Sequence, residues 1–212
     1  MKKFLFVLFL VTLFNESFAQ DYYTGKETIE ANGVTFDVKI STYSLSLDNV
    51  LYERGKDPNL YYKDGSLVED VNYPETCVMI SGGLAKALME TFSESEYRQL
   101  QQLEGLSFWI SYIIDPKGNT IEVGFTVSKI AEMLALPPQK FALLENNVKN
   151  YVKWTISPDG KKLQYMHGLG FVNWSKIELP YVSFNIDNQL DVDARFRRPG
   201  DFIGNERIMY TK

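Results

Sequence analysis

The sequence predicts an α+β fold, a two-layer sandwich in which helices pack on an antiparallel sheet. A hairpin pattern over 108–128 precedes a helix pattern over 138–153 and another strand pattern, so the C-terminal half contains a strand-strand-helix-strand unit. The N-terminal region begins with a hairpin pattern of its own. We divide the chain into a signal peptide at 1–19, a strand-rich region at 20–80, an α+β domain at 81–180 and an irregular tail at 181–212.

The first nineteen residues have the pattern of a secretion signal. Two lysines precede an apolar stretch from Phe4 to Phe14, and Ser17 and Ala19 are small residues at the positions that signal peptidase inspects. The apolar stretch is about half as long as a membrane-spanning helix. We therefore expect cleavage before Gln20 and an exported protein, in the periplasm or at the cell surface, with no transmembrane segment in the mature chain.

Composition excludes one class of partner. Removal of the signal takes two lysines and one glutamate from the 22 basic and 27 acidic side chains, which leaves a net charge of −6. Nucleic-acid binding depends on basic side chains that neutralise phosphates, so we exclude it. Cys77 is the only cysteine, so it forms no internal disulfide, and it lies too far along the chain to carry a lipid anchor after the signal.

Residues 27–41 contain the first hairpin pattern. Asn32 and Gly33 lie between alternating apolar residues, and both adopt positive φ readily, as a two-residue turn requires. From Tyr43 to Tyr73 the alternation weakens into glycines, a proline and scattered tyrosines. We expect strand fragments and loops there.

Residues 83–92 and 94–103 have apolar residues at helical spacing and predict two helices that meet at a bend. Ser93 with Glu96 three residues later is a capping box for the second helix. The glycine pair before the first helix lacks the lysine and hydroxyl residue of a phosphate-binding loop. We expect it to let the helix begin close to a neighbouring backbone.

The hairpin at 108–128 is the most regular part of the chain. Its turn, Asp115 to Gly118, combines an aspartate that accepts turn hydrogen bonds, a proline with a preset φ and a glycine that can become left-handed. Its second strand alternates between apolar and polar residues, which predicts one face on the core and one in water. The apolar set is Ile121, Val123, Phe125 and Val127, and the polar set is Thr120, Glu122, Gly124, Thr126 and Ser128.

The first strand of this hairpin has large apolar residues on both sides. Phe108, Ile110, Tyr112 and Ile114 point one way, and Trp109 and Ile113 point the other way. This pattern predicts a strand that is buried on both faces.

The helix pattern at 138–153 has Pro138 in its first turn, where the missing N–H costs little. Its apolar stripe is Phe141, Leu144, Val148, Tyr151 and Val152, and its opposite face carries Lys140, Asn147 and Lys153. We expect the stripe to pack on the apolar face of the hairpin. A strand at 154–156 and a returning strand within 161–179 complete the unit.

Residues 106–176 resemble the C-terminal domain of TonB and its relatives. In that family a strand, a turn ending in glycine and a strand of the type G-x-I-x-x-V-x-F-x-V precede a packing helix and a closing strand. YIIDPKGNTIEVGFTVS, the proline-started helix and the strand around Leu163 to Trp174 match that order. The resemblance implies an envelope domain that recruits partners by adding a strand at its sheet edge. The whole chain is similar to secreted proteins of unknown function from Bacteroides-type bacteria.

Cys77 and His167 are the candidate catalytic pair, since a cysteine hydrolase needs a thiol made reactive by an imidazole. Cys77 lies in an apolar, strand-like run, and free cysteines are commonly buried. We therefore favour a packing role for this thiol.

Tyrosines crowd the first third of the mature chain and are the candidate ligand-binding residues. Tyr22, Tyr23, Tyr61 and Tyr62 could offer stacking surfaces to a glycan or a peptide, since tyrosine has an apolar face and a polar tip. Tyrosine is also common at half-buried strand positions, so a structural role is the alternative.

No metal or cofactor is expected. One histidine and one cysteine are too few for the usual zinc clusters. Asp187, Asp191 and Asp193 lie close together but lack the glycine and distal glutamate of a calcium loop, so we interpret them as a solvated acidic turn.

The function predicted from the sequence is that of an exported, non-enzymatic binding protein of the cell envelope whose partner is an envelope protein or a glycan. An exposed sheet edge would indicate this function. The alternative is an envelope hydrolase that acts on glycan or peptide. Its sign would be a deep pocket that gathers carboxylates from distant segments.

Overall fold

The computed structural model describes residues 21–69, 77–79, 83–103, 106–172 and 174, and for 77–79 the backbone alone. The predicted signal peptide and the whole predicted tail, with its three aspartates, lie outside the described residues. Within the described residues the fold is α+β, as predicted: six strands form one antiparallel sheet in the order β1-β2-β3-β6-β5-β8, and β4 and β7 form a second pair.

The strands are β1 (Thr28–Ala31), β2 (Val34–Ile40), β3 (Ser44–Asn49), β4 (Cys77–Met79), β5 (Phe108–Ile114), β6 (Thr120–Ser128), β7 (Trp154–Ile156) and β8 (Met166–Phe171). The α-helices are α1 (Gly83–Thr91), α2 (Glu94–Gln102), α3 (Ala131–Leu134) and α4 (Pro138–Tyr151). In the part of the chain that is described, no helix has the length and apolar character needed to cross a membrane.

Both predicted hairpin turns are confirmed. Asn32 and Gly33 take φ values of 51° and 77° between β1 and β2. In the second turn, the Asp115 carboxylate accepts hydrogen bonds from the backbone N–H groups of Lys117 and Asn119, both at 2.8 Å. Gly118 has a φ of 88°. The N-terminal strands and the second hairpin join the same sheet because β3 pairs with β6.

The core lies between this sheet and α4. Phe125 and Ile110 pair in register across β6 and β5, and both are buried. Phe141 of α4 packs on the same face, with its ring centroid 5.4 Å from that of Phe125 and 6.2 Å from that of Phe108. The predicted contact between the helix stripe and the apolar hairpin face is therefore confirmed.

One predicted solvent-facing residue of the helix is buried instead. Asn147 is only 6% exposed and donates a hydrogen bond to the Thr91 hydroxyl at 3.1 Å. The reason is that α1 packs on this side of α4. A Cβ at Gly83 would collide with the carbonyl of Tyr151, so the predicted close approach of the helix start to another backbone is confirmed.

The predicted capping box is also confirmed. The Ser93 hydroxyl accepts from the backbone N–H of Glu96 at 3.3 Å, and the Glu96 carboxylate accepts from the backbone N–H of Ser93 at 2.7 Å. Lys140 of α4 donates to the same carboxylate at 2.7 Å. The cap therefore also ties α2 to α4.

The alternation predicted for β6 is interrupted at its start. Ile113 pairs with Glu122 and Ile114 pairs with Thr120, so Ile121 is an extra residue in a β-bulge. The bulge turns Thr120 toward the core, where its hydroxyl accepts from the Trp154 indole N–H at 2.9 Å. The expectations that Ile121 lies in the core and Thr120 in water are therefore wrong.

Candidate functional site

The face of the six-stranded sheet opposite α4 is the candidate site, and we call it the open face. Strand register places Lys39, Ser46, Thr126 and Trp109 in one row across β2, β3, β6 and β5. The next row contains Asp37, Asp48, Gly124 and Ser111. Ser111 is exposed, so the prediction that β5 is buried on both faces is wrong at this position.

A cover loop, residues 50–68, crosses one end of the open face. Its backbone N–H at Gly55 donates to the Glu122 carboxylate at 3.1 Å, and Arg54 donates to the same carboxylate at 3.0 Å. Glu122 is therefore only 4% exposed, although the alternation predicted it in water. Further along, Tyr62 forms an isolated bridge with Leu163, which anchors the loop beyond the sheet.

The open face and the cover loop together enclose a groove of about 580 Å³. This volume is within the range of about 300–1,000 Å³ that is typical of small-ligand sites. The groove is lined by residues from β2, β3, β5, β6 and β8 as well as from the loop.

Gly124 lies near the centre of the groove, on the middle one of the five strands that line it. Two side chains meet above this glycine. A Cβ added there would lie 2.5 Å from both the Asp48 carboxylate oxygen and the Ser111 hydroxyl oxygen. These side chains come from β3 and β5, on either side of β6. Gly124 is buried for this reason, and its missing side chain lets a carboxylate and a hydroxyl converge on one point.

Three carboxylates of the open face have basic partners. Arg54 pairs with Glu122 at 3.0 Å, Lys56 with Asp37 at 3.1 Å and Lys39 with Asp48 at 3.6 Å. Burial raises the pKa of Asp48, and the nearby Lys39 opposes that rise. The face is therefore polar but nearly balanced in charge.

One end of the groove is aromatic. Trp109 lines this end. Its ring contacts that of Phe171, its register partner on β8 outside the groove lining, with centroids 4.9 Å apart and an interplanar angle of 54°. Both residues are half-buried. The groove thus combines a polar centre with an apolar end.

His167 of β8 also lines the groove. Burial lowers its pKa to about 4, and the negative charge of Asp57 opposes this effect. No hydrogen-bond partner for its Nε2 atom is found among the described residues, and the same holds for the Tyr52 hydroxyl on the cover loop. At neutral pH the imidazole is therefore uncharged.

Cys77 and His167, the candidate pair, lie in different sheets. Cys77 begins β4, whose backbone pairs with β7, whereas His167 lies on β8 of the large sheet. The structure brings His167 into the groove. The side chain of Cys77 lies outside the described residues, so the pair stays a prediction.

The four candidate tyrosines lie outside the groove lining. Tyr23 is fully buried, and its hydroxyl donates to the Leu136 carbonyl at 2.7 Å, so it is a core residue. The Tyr22 ring packs edge-on against it with centroids 6.3 Å apart. Tyr61 and Tyr62 are half-buried and belong to the cover loop. The residues that sequence reasoning missed, Asp48, Ser111 and Gly124, become neighbours only through strand pairing.

Among the described residues, no group of three metal-ligating side chains is positioned to hold an ion.

Within the described residues, the fold and the groove define an α+β protein in which α4 covers one sheet face and leaves the other open. No family model matches the chain, and no curated protein matches it. Among solved structures, the chain is similar to a DUF5043 family protein from Bacteroides uniformis. The TM-score is 0.56 at 16% identity, and the match covers 70% of this chain and 85% of that one. This likeness concerns the fold. It agrees with the predicted similarity to uncharacterised Bacteroides proteins, whereas the TonB-like resemblance stays a prediction.

Proposed function

We propose that this chain is an exported, non-enzymatic binding protein of the cell envelope whose ligand occupies the groove on the open face. The observation that carries the proposal is the groove of about 580 Å³, in which Asp48 and Ser111 converge over Gly124. A sheet face that served only as a solvated surface would have no need for a glycine at this point. The export itself rests on the signal pattern of the first nineteen residues.

Photo-crosslinking in intact envelopes tests the proposal. A photoreactive amino acid at Lys39 lies at the groove, and its native side chain is 68% exposed. The matched control is the same amino acid at Lys86 on α1, whose side chain is 55% exposed. We expect adducts from Lys39 and not from Lys86. Equal labelling at both positions, or none at Lys39, contradicts a groove ligand.

Strand addition, the binding mode implied by the TonB resemblance, is a second way to bind a partner. It is supported by the position of β8 at the end of the sheet, where among the described residues it pairs with β5 alone. A photoreactive amino acid at Phe171 on this strand tests that route. Adducts from Phe171 without adducts from Lys39 would favour the edge over the groove.

The hydrolase alternative is favoured by one observation, the raised pKa of Asp48 in a groove that also contains Ser111. General acids in glycan hydrolysis are carboxylic acids with a raised pKa. Against this, the groove carboxylates of Asp48 and Glu122 both have basic partners. We expect no fragments to be released from purified envelope glycan or peptide, and release that Asp48→Asn abolishes would overturn the non-enzymatic assignment.

A further inference from the structure

We infer that the groove takes an uncharged, hydroxyl-rich ligand, namely a short stretch of saccharide chain. This inference rests on the proposed function and deepens it, since it names the chemical class of the ligand. The groove combines balanced charges, converging oxygen atoms and an aromatic end.

The charge pattern disfavours a charged ligand. Lys39 and Lys56 line the groove together with Asp48 and Glu122, so its lining carries equal numbers of basic and acidic side chains. An anion would meet the carboxylates and a cation would meet the lysines, and either ion would compete with existing pairs at 3.6 Å and 3.1 Å. A neutral ligand would not be repelled by either charge and would not disrupt these ion pairs.

The centre of the groove suits hydroxyl groups. The Asp48 carboxylate can only accept hydrogen bonds when ionised, whereas the Ser111 hydroxyl can donate or accept. Ser46 and Thr126, whose hydroxyl oxygens are 3.1 Å apart, lie in the adjacent row. A sugar hydroxyl is both donor and acceptor, so adjacent hydroxyls on one ring can bond to both kinds of group.

The aromatic end suits the C–H face of a sugar ring. Trp109 keeps part of its surface exposed, and Phe171 supports it from β8. An aromatic ring offers a flat apolar surface with a negative face, which attracts the weakly positive C–H groups of a pyranose. Trp109 also lies in the row that contains Thr126, Ser46 and Lys39.

The length of that row favours more than one sugar unit. Neighbouring strands are about 4.8 Å apart, so the row from β5 to β2 spans about 14 Å. A ring stacked on Trp109 would place the next units over the hydroxyls of β6 and β3. A single small metabolite would leave half of this row unused.

A glycan array on the mature full-length chain tests the inference, with neutral hexose and N-acetylhexosamine oligomers beside polyanionic and polycationic oligomers. We expect neutral oligomers to bind, with affinity rising from one unit to several. In calorimetric titration, Trp109→Ala should weaken binding at least tenfold and Trp109→Phe should largely restore it. The control is Tyr43→Ala, because Tyr43 is 83% exposed and does not line the groove.

The outcomes separate this inference from the proposed function. If the Lys39 crosslinker captures a peptide or a charged polymer while neutral oligomers fail to bind, the saccharide class is wrong and the groove remains a binding site. If neutral oligomers bind equally well to wild type and Trp109→Ala, the placement in the groove is wrong. If the crosslinker at Lys39 captures nothing, the proposed function is wrong, and the saccharide inference that rests on it is wrong as well. Equal melting temperatures for the variants show that loss of binding is not loss of fold.

Discussion

The two faces of the six-stranded sheet are built from the same strands and differ in almost every property. On the face covered by α4, Val38, Leu47, Phe125 and Ile110 form a buried row across four strands. One residue along each strand, Asp37, Asp48, Gly124 and Ser111 form a row on the open face. Because successive strand residues point to opposite faces, each strand contributes to both rows at once.

The pleat of the sheet therefore separates the residues that hold the fold together from those that line the proposed binding groove. The covered face excludes water and supplies most of the apolar burial that holds the fold. The open face carries hydroxyls, ion pairs and a glycine, and each of these should contribute less to stability than a buried residue of the covered face. Substitutions on the two faces of the sheet should therefore have very different consequences for stability.

The largest effect is expected from Val123→Asp on the covered face. Val123 is fully buried, and an unpaired carboxylate there would lose its hydration without gaining a partner. We expect a loss of more than about 4 kcal/mol in the free energy of unfolding, enough to unfold a marginally stable domain. Urea denaturation followed by circular dichroism measures it.

The matched control is Ser46→Asp, which places the same carboxylate on the open face, opposite Lys39 in the register. Its free energy of unfolding should stay within about 1 kcal/mol of wild type. If both variants melted alike, the separation of the two faces would be wrong.

The next largest effect concerns pH and His167. Its pKa is lowered from 6.5 to about 4 by burial, so the native state binds a proton less tightly than the unfolded chain does. The contribution of His167 to the free energy of unfolding is therefore fully present above pH 6.5 and decreases as the pH falls from 6.5 to about 4. The loss should reach about 2 kcal/mol, since one pKa unit corresponds to about 1.4 kcal/mol and the site is not fully buried.

His167→Gln isolates that contribution from the carboxylates, which titrate in the same range. The difference in melting temperature between wild type and variant should shift in favour of the variant as the solution is acidified. A difference that stays constant across the window would mean that His167 titrates as an exposed residue.

A smaller effect is expected from Arg54→Ala on the cover loop. The Glu122 side chain is only 5% exposed. After the substitution its carboxylate keeps the hydrogen bond from the Gly55 N–H but has lost its cationic partner. We expect a loss of about 1–2 kcal/mol because a buried charge without a partner is costly. Lys39→Ala is the control. Its partner Asp48 is 37% exposed, so the loss should be below about 0.5 kcal/mol.

Local patterns were sufficient to predict much of the covered face. Asn32-Gly33, the capping box at Ser93 and the alternation of Val123 and Phe125 each depend on residues close in sequence, and the structure confirms all three. The regular strand β3 was predicted only as fragments. Its pattern, Leu45 and Leu47 between polar residues, is short and lies among turn residues.

The open face could not be predicted from local sequence patterns. Asp48 and Ser111 are 63 positions apart in the chain, and their meeting over Gly124 depends on β3 and β5 pairing with opposite sides of β6. The burial of Glu122 depends on the cover loop and not on its own strand. The bulge at Ile121 changes which residues face inward, and the alternation of apolar and polar residues there gives no sign of it.

A small change in stability, with a large change in binding, is expected from Gly124→Ala. The new methyl group would lie 2.5 Å from the Asp48 and Ser111 oxygens, but both belong to side chains that can rotate away. Stability should therefore change by less than about 1 kcal/mol. The two oxygen atoms would no longer converge, so adducts from the Lys39 crosslinker should fall about tenfold.

The control is Gly33→Ala, which has open space around it and a φ of 77°. It should cost about 1 kcal/mol through backbone strain and leave the adducts unchanged. If the two variants behaved alike in both assays, Gly124 would be an ordinary strand glycine, and the open face would lose its central feature.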